Sequence, residues 1–176
     1  MSDAFDPGAY GQNVRVTLMG AAVEAQRRGL DIAEAEHLLL ALAAESLSPA
    51  GRLLAEVGFD HPGVTTALRV ERERSLQVAG VDPSAAAGLH ATRLPPPRAR
   101  WGASIREAIK RGAEDAKASG RRDRRAWRQT DLLIGLLLLD IGTVPRTFAY
   151  AGVDSDALLA RARATAPGST EADPAG

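Results

Sequence analysis

The stretch AEHLLLAL begins at residue 35 and the stretch QTDLLIGL begins at residue 129, so the two lie 94 positions apart. Both open with polar residues and continue into a run dense in leucine. Leucine and alanine are strong helix formers, and neither stretch shows the apolar and polar alternation of a half-buried strand. Both are therefore predicted as buried helices, and their likeness indicates that the chain contains a duplication.

The duplication extends on both sides of these stretches. The positions that match at a separation of 91 are Tyr10 with Trp101, Gly11 with Gly102, Arg15 with Arg106, Ala22 with Ala113 and Gly29 with Gly120. The positions that match at 94 are Leu38 with Leu132, Gly58 with Gly152 and Asp60 with Asp154. The change from 91 to 94 places three extra residues of the second repeat within RRDRRAWR, residues 121–128, which is predicted as a loop.

Start and stop residues divide each repeat into four helices. Ser48 before a proline and Asp60 are predicted N-caps in the first repeat, Thr130 and Asp154 in the second, and Gly29 is a predicted helix stop. One repeat has too little apolar surface to fold well alone, so the two should pack together. The predicted fold is all-α: an eight-helix bundle of two tandem four-helix repeats with pseudo-twofold symmetry.

The same pattern predicts the organisation of the chain. Ser75 to Pro97 lacks helical periodicity and is rich in glycine, alanine and proline, which is typical of a linker. We expect an N-terminal arm over residues 1–9, a first repeat over 10–74, a linker over 75–100, a second repeat over 101–164 and a disordered tail over 165–176. The two repeats should form one domain.

The composition excludes several kinds of site. The chain has no cysteine, and its only lysines, Lys110 and Lys117, do not follow a glycine as a phosphate-binding P-loop requires. The three histidines share no metal-ligand spacing. His37 beside Glu36 suits either acid/base chemistry or simple packing at a helix start, and we favour packing. We expect no enzyme activity, no metal and no cofactor.

Location is predicted from the same composition. The N-terminus MSDAFDPGAYG has neither the basic nor the apolar segment of a secretory signal. The longest apolar run, Leu132 to Leu139, is far shorter than the roughly 20 residues of a membrane span. With no cysteine, these features favour the cytoplasm and indicate no membrane partner.

The charge is unevenly distributed. Residues 98–128 hold 11 basic residues against four acidic ones, a net charge of +7, although the chain as a whole is neutral. The loop Arg121 to Arg128, with Trp127 inside it, suits either phosphate contacts and base stacking or a solvated insert. Because the rest of the chain is acidic, we favour the insert. Tyr10 and Trp101, which open the two repeats, suit either helix caps or binding residues.

These motifs together resemble the N-terminal domain of Clp-type AAA+ unfoldases, in particular of ClpC. The resemblance covers about residues 10–164. It is carried by the tandem four-helix units with an aromatic residue at each start, by Glu36-His37-Leu38-Leu39-Leu40-Ala41-Leu42, and by the junctions Val57-Gly58-Phe59-Asp60 and Ala151-Gly152-Val153-Asp154. In that family the domain sits on an ATP-driven ring and captures substrates, adaptors and, in ClpC, proteins marked with phosphoarginine.

The resemblance implies a protein that binds peptides or Clp client and adaptor proteins, with ClpC or other Clp protease components as further partners. No ATPase module follows in this sequence, so we expect a free-standing receptor domain. It would act as a regulator, a decoy or a sequestering protein for Clp clients or for cyclic peptide antibiotics that bind ClpC. The alternative is a nucleic-acid-associated protein that uses the loop Arg121 to Arg128.

The resemblance also implies binding residues. A peptide or macrocycle groove is expected between the first helices of the two repeats, and phosphoarginine pockets are expected at the second helices. The groove positions are Tyr10, Arg15, Met19, Ala22, Trp101, Arg106 and Ile109. The phosphoarginine positions are Glu36 and, at the equivalent place in the second repeat, Thr130, which has no carboxylate.

Overall fold

A computed structural model describes residues 6–82 and 100–165 of the chain, and these residues form eight α-helices and two very short strands. Residues 83–99 of the expected linker (75–100), residues 166–176 of the expected tail (165–176) and residues 1–5 lie outside the described ranges. The first repeat contains α1 (Gln12–Arg27), β1 (Ile32–Ala33), α2 (Ala35–Ala44), α3 (Pro49–Glu56) and α4 (His61–Val78). The second contains β2 (Arg100–Trp101), α5 (Ala103–Ala118), α6 (Gln129–Leu137), α7 (Thr143–Tyr150) and α8 (Ser155–Thr165).

The two repeats have equivalent turns. Gly29 and Gly120 both follow a first helix, and both adopt a positive φ, of 75° and 82°. Gly58 and Gly152 do the same after the third helix of each repeat, at 77° and 69°. Glycine adopts this conformation without the steric penalty that a Cβ atom brings. The predicted all-α fold and the predicted duplication are confirmed.

The leucine-rich helices α2 and α6 lie at the centre of the molecule. α2 packs against α1, α3, α4 and α5, and α6 packs against α5, α8, α3 and α1. Helices that are apolar on every side must be covered on every side, which explains why both stretches carry leucine with no polar face. No single helix of the described residues is long and apolar enough to cross a membrane, and α2 with α3 reaches that length only across a 96° bend.

The two repeats share polar contacts as well as the core. Glu71 of α4 is buried and accepts hydrogen bonds from Arg146 Nε of α7 and from Ser75 Oγ, both at 2.7 Å. Gln129 Nε2 of α6 donates to Thr17 Oγ1 of α1 at 3.1 Å and also to Glu45, which follows α2. Buried and polar contacts therefore join the two repeats directly.

Three of the four predicted N-caps are confirmed, whereas the start of α6 and the end of α4 differ from expectation. Ser48, Asp60 and Asp154 accept the N-cap hydrogen bonds predicted for them, at 2.9 Å each. Thr130 is not the N-cap of α6: the cap residue is Arg128, whose N–H donates to Asp131 Oδ2 at 2.8 Å, and Thr130 lies in the first turn. The charged end of α4 continues through Val78, into the segment predicted as linker.

The strands are the feature that the sequence did not predict. β1 and β2 pair in parallel, with Ile32 opposite Arg100 and Ala33 opposite Trp101. Each strand has only two residues, too few to show a period of two in the sequence. The pair connects the segment between α1 and α2 in the first repeat to the segment that precedes α5 in the second repeat.

Candidate functional site

The first candidate site is a cleft of about 530 Å³ where the two repeats meet. Here the start of α2 in the first repeat lies beside β2 and the start of α5 in the second repeat. We call this site cleft one. It is lined by Ile32, Glu34, Arg100, Trp101, Gly102, Ala103 and Arg106.

Glu34 holds the two sides of cleft one together. Its Oε2 accepts hydrogen bonds from the backbone N–H and the hydroxyl of Ser104, at 3.0 and 2.5 Å, in the first turn of α5. Ser104 Oγ in turn accepts a hydrogen bond from the Ala35 N–H at 2.8 Å. A carboxylate is favourable at a helix start because the unpaired amides carry partial positive charge. Gly102 leaves room for it, since a Cβ there would lie 2.0 Å from Glu34 Oε1.

Trp101 is the aromatic wall of cleft one and is only partly buried. In the β1–β2 pair it lies opposite Ala33, whose side chain is too small to cover an indole ring. Arg106 is exposed beside it, and Arg100 Nη2 lies 2.6 Å from Asp31 Oδ2 at the rim. An apolar ring flanked by guanidinium groups suits a peptide, which offers apolar side chains and carbonyl oxygens.

A second cleft, of about 350 Å³, lies at the equivalent junction of the other pair of helices. Here the start of α6 lies beside the start of α1, and Arg128 occupies the position that Glu34 occupies in the first repeat. We call this site cleft two. It is lined by Asn13, Pro49, Trp127, Arg128, Gln129, Thr130 and Thr165.

The aromatic residues at cleft two cover each other. Trp127 is equivalent to Ala33, and its ring packs edge-on against Tyr10 with centroids 5.3 Å apart. Each of the two rings is only 6% exposed. Burial raises the pKa of the Tyr10 hydroxyl, although Arg124 opposes the shift. Tyr10, predicted as a binding residue, is therefore buried in the core, whereas its equivalent Trp101 is partly exposed.

The predicted groove residues do not all meet. Trp101 and Arg106 lie together in cleft one, but among the described residues no residue of α1 lines that cleft. Arg15 is exposed on α1, and Met19 is 50% exposed there. α1 itself packs on β1, α2 and α6.

The predicted apolar floor is part of the protein core. Ala22 is 7% exposed and Ile109 is 6% exposed, so neither offers a surface to a ligand. The structure places Ile32, Glu34 and Arg100 in cleft one instead, and sequence reasoning missed all three. The available signal was the charge difference between the equivalent positions 34 and 128 of the two repeats.

Glu36, the expected phosphoarginine ligand, is a partly buried carboxylate. Burial raises its pKa, and the negative charges of Glu34 and Glu71 add to the shift while Arg28 opposes it. No ion pair engages Glu36 within residues 6–82 and 100–165. A cation would stabilise its ionised form. The equivalent Thr130 is 2% exposed and offers no such charge.

His37 supports the start of α2. It is 1% exposed, and its Nδ1 accepts a hydrogen bond from the Glu34 N–H at 3.0 Å. Burial, together with the charge of Arg28, lowers its pKa to about 4. A buried neutral imidazole at a helix start supports the packing interpretation over acid/base chemistry.

The arginine-rich loop, Arg121 to Arg128, contacts buried residues of the protein. Arg121 Nη2 lies 2.6 Å from Oδ1 of the buried Asp131. The Arg124 guanidinium lies 5.8 Å from the centroid of the Tyr10 ring. Base stacking requires an exposed ring, so the burial of Trp127 removes the stacking residue on which the nucleic-acid hypothesis depended.

Comparison with known proteins agrees with this architecture. Residues 9–94 match the family model of the Clp repeat (R) N-terminal domain. The fold is similar to the crystal structure of the N-terminal domain of the caseinolytic protease associated chaperone ClpD from Arabidopsis thaliana, with a TM-score of 0.58 and 18% sequence identity. That likeness covers 89% of this chain and 96% of the ClpD domain. No curated protein sequence matches the chain.

Proposed function

Because residues 9–94 match the Clp repeat (R) N-terminal domain model, we propose that the protein is a non-enzymatic receptor for peptide segments of Clp client or adaptor proteins. Cleft one is the proposed binding site. The observation that carries the proposal is the partly exposed ring of Trp101, flanked by Arg100 and Arg106 in a cleft of about 530 Å³. Clefts of this size, with one apolar wall and a few convergent polar groups, are typical of ligand sites.

The proposed role is to modulate Clp-dependent proteolysis by competition. A receptor that shares ligands with ClpC withholds clients or adaptors from it and acts as a regulator or decoy. The same surface would sequester cyclic peptide antibiotics that bind ClpC. Phosphoarginine recognition at Glu36 is a further part of this proposal, supported by the raised pKa and the absence of an ion pair at that carboxylate among the described residues.

Peptide binding is tested by fluorescence polarisation with a labelled casein fragment and with a ClpC-binding macrocycle. Trp101→Ala should weaken binding at least about tenfold, because buried aromatic anchors dominate peptide interfaces. Ile141→Ala, which removes an apolar side chain that is 86% exposed elsewhere, is the matched control and should bind normally. Arg106→Ala, at an exposed position, keeps the test informative if circular dichroism shows that Trp101→Ala unfolds.

The role in proteolysis is tested by adding the protein to a ClpC degradation assay. Competition predicts that the protein inhibits degradation, that the inhibition grows with the amount of protein added, and that Trp101→Ala does not inhibit. If the protein has no effect on degradation and binds neither probe, the proposal is contradicted. Retention of an oligonucleotide that falls with salt and is lost on replacing the loop arginines would favour the nucleic-acid alternative instead.

Recognition at Glu36 has its own test. Free phosphoarginine should compete with an arginine-phosphorylated casein fragment, and Glu36→Gln should remove that competition. Glu73→Gln, which neutralises a partly exposed carboxylate on α4, is the control. If free phosphoarginine competes equally well for the wild type, Glu36→Gln and Glu73→Gln, then Glu36 does not bind phosphoarginine.

A further inference from the structure

A third cleft, of about 490 Å³, lies where the first half of α4 packs against the end of α7, so each repeat supplies one of its walls. We call it the α4–α7 groove. It shares no lining residue with cleft one or cleft two. The described side chains that line it are all uncharged, and they include Val57, Phe59, Val70 and Tyr150.

The floor of the α4–α7 groove is an aromatic stack, and its rim is accessible. Phe59 is 3% exposed, and its ring stacks on Phe148 of α7 with centroids 4.9 Å apart. Ala67, Val70 and Tyr150 are each only partly buried. An exposed apolar surface with polar groups at its edge is typical of an interaction site.

The equivalent junction, between α3 and α8, is built from charged side chains instead. Ala67 is equivalent to Arg161 and Tyr150 to Glu56, both at the separation of 94. Arg161 Nη2 pairs with Glu56 Oε2 across that junction, and both side chains remain about half exposed to solvent. In the α4–α7 groove the same two positions carry a methyl group and an aromatic ring, which favour contact with another molecule over contact with water.

Arg74 supplies a positive charge beside the groove. Its side chain is exposed, and its guanidinium lies 4.8 Å from the centroid of the Tyr150 ring. No carboxylate pairs with Arg74 within residues 6–82 and 100–165, and the neighbouring acids are engaged: Glu73 lies 2.7 Å from Arg69, and Glu71 accepts from an arginine of α7. Because a guanidinium presents its donors in a planar fork, it suits a carboxylate.

We propose that the α4–α7 groove docks a segment of a partner protein in which an apolar side chain is followed by a carboxylate. The apolar side chain enters between Ala67 and Tyr150, and the carboxylate pairs with Arg74. Burial of the apolar side chain supplies the affinity, and the charge of Arg74 selects acidic over basic segments. This docking surface goes beyond the proposed receptor function and does not depend on cleft one.

The test follows the backbone amide signals of Val70 and Ala151 in the full chain by NMR during titration with three synthetic peptides. The first has two leucines followed by two aspartates, flanked by glycines and blocked at both ends. The second has lysines in place of the aspartates, and the third has serines in place of the leucines. We expect saturable shifts with the first, binding at least about threefold weaker with the second and no saturable shifts with the third. Absence of saturable shifts with the first peptide overturns the proposal, as does equal binding of all three.

A double variant tests the apolar part of the groove. Ala67→Arg with Tyr150→Glu places in the groove the ion pair that Arg161 and Glu56 form at the equivalent junction. It should weaken binding of the first peptide at least about tenfold while circular dichroism shows the helices intact. Arg161→Ala, which changes only the equivalent junction, is the control and should bind normally. Wild-type affinity in the folded double variant would overturn the proposal.

Single variants at exposed positions keep the test informative if the double variant unfolds. Arg74→Gln should remove the preference for the aspartate peptide over the lysine peptide. Arg72→Gln, which removes the same charge from an exposed arginine of α4 that does not line the groove, should keep that preference. Equal loss in both variants would show diffuse attraction to α4 and would overturn the proposal. Trp101→Ala should leave the shifts unchanged, and their loss would place the peptide at cleft one instead.

Discussion

Cleft one and cleft two occupy equivalent places in a duplicated chain, yet they differ in charge and in openness. Position 34 is glutamate and its equivalent, 128, is arginine, so the start of α5 receives a carboxylate from the other repeat, whereas within the described residues the first turn of α1 has no acidic residue. Position 33 is alanine and its equivalent, 127, is tryptophan; Trp127 packs on Tyr10 and buries it, whereas Trp101 is partly exposed. The two junctions thus differ at adjacent positions: one carries a partly exposed aromatic ring and the other an exposed arginine.

The packing of the first helix on the second also differs between the two repeats. The largest expected effect on stability comes from this difference. α5 and α6 approach closely at Gly112 and Gly135, where the first repeat has Ala21 and Ala41. A Cβ at Gly135 would lie 2.0 Å from the backbone oxygen of Ala108. Gly135→Ala should therefore lower the free energy of unfolding by about 3 kcal/mol, measured by urea denaturation.

The sign of this effect separates packing from helix propensity. Propensity alone predicts that Gly135→Ala stabilises the helix by about 1 kcal/mol. Ala41→Gly, the reverse change in the first repeat, is the control and should lower the free energy of unfolding by about 1–2 kcal/mol. A stabilised Gly135→Ala variant would show that the two helix pairs are not packed differently.

The third residue of the second helix is His37 in the first repeat and Asp131 in the second, and each accepts the N–H of its N-cap residue. Because the pKa of buried His37 is lowered to about 4 from its ordinary 6.5, its contribution to stability is complete above pH 6.5 and is lost as the pH falls from 6.5 to 4. His37→Asn keeps an acceptor for the Glu34 N–H but does not titrate.

The free energy of unfolding of the wild type, relative to His37→Asn, should therefore decrease by about 2–3 kcal/mol between pH 7.5 and pH 4. Urea denaturation at a series of pH values measures this difference. Parallel curves for the two proteins would mean that His37 titrates normally and that the start of α2 is open to water.

The N-cap position itself gives the smallest effect. Glu34→Ala removes hydrogen bonds to the first turn of α5 and should lower the free energy of unfolding by about 1–2 kcal/mol. Arg128→Ala, at the equivalent position, should change it by less than about 0.5 kcal/mol, because no carboxylate pairs with that arginine in the described part of the chain. If Glu34→Ala and Arg128→Ala lower the free energy of unfolding equally in thermal denaturation, the two junctions do not differ in stability.

The helices and the duplication could be predicted because their signals are local. Capping at Ser48 and Asp60 depends on neighbouring residues, and the turn at Gly58 depends on one φ angle. The cap predicted at Thr130 was wrong because Asp131 can hold the N–H of Arg128, which starts the helix earlier.

The candidate site could be predicted only in part because its openness depends on distant partners. Tyr10 and Trp101 look alike in sequence, and what distinguishes them is the residue opposite each ring. The β1–β2 pair likewise joins residues 32 and 100, which no local pattern connects. Periodicity identifies the apolar face of a helix, but whether that face meets protein or solvent, as for Ala22 and Met19, is decided by tertiary packing.

The crossing of Glu34 from one repeat to the first turn of the other has a consequence for ancestry. A half-length precursor with this contact would have formed it only between two copies in a symmetric homodimer. Dimer formation would then have depended on the concentration of the protein. Gene fusion makes that encounter intramolecular and independent of dilution. It also frees the two halves from the identity that a homodimer imposes, so opposite charges can then be selected at one ancestral position.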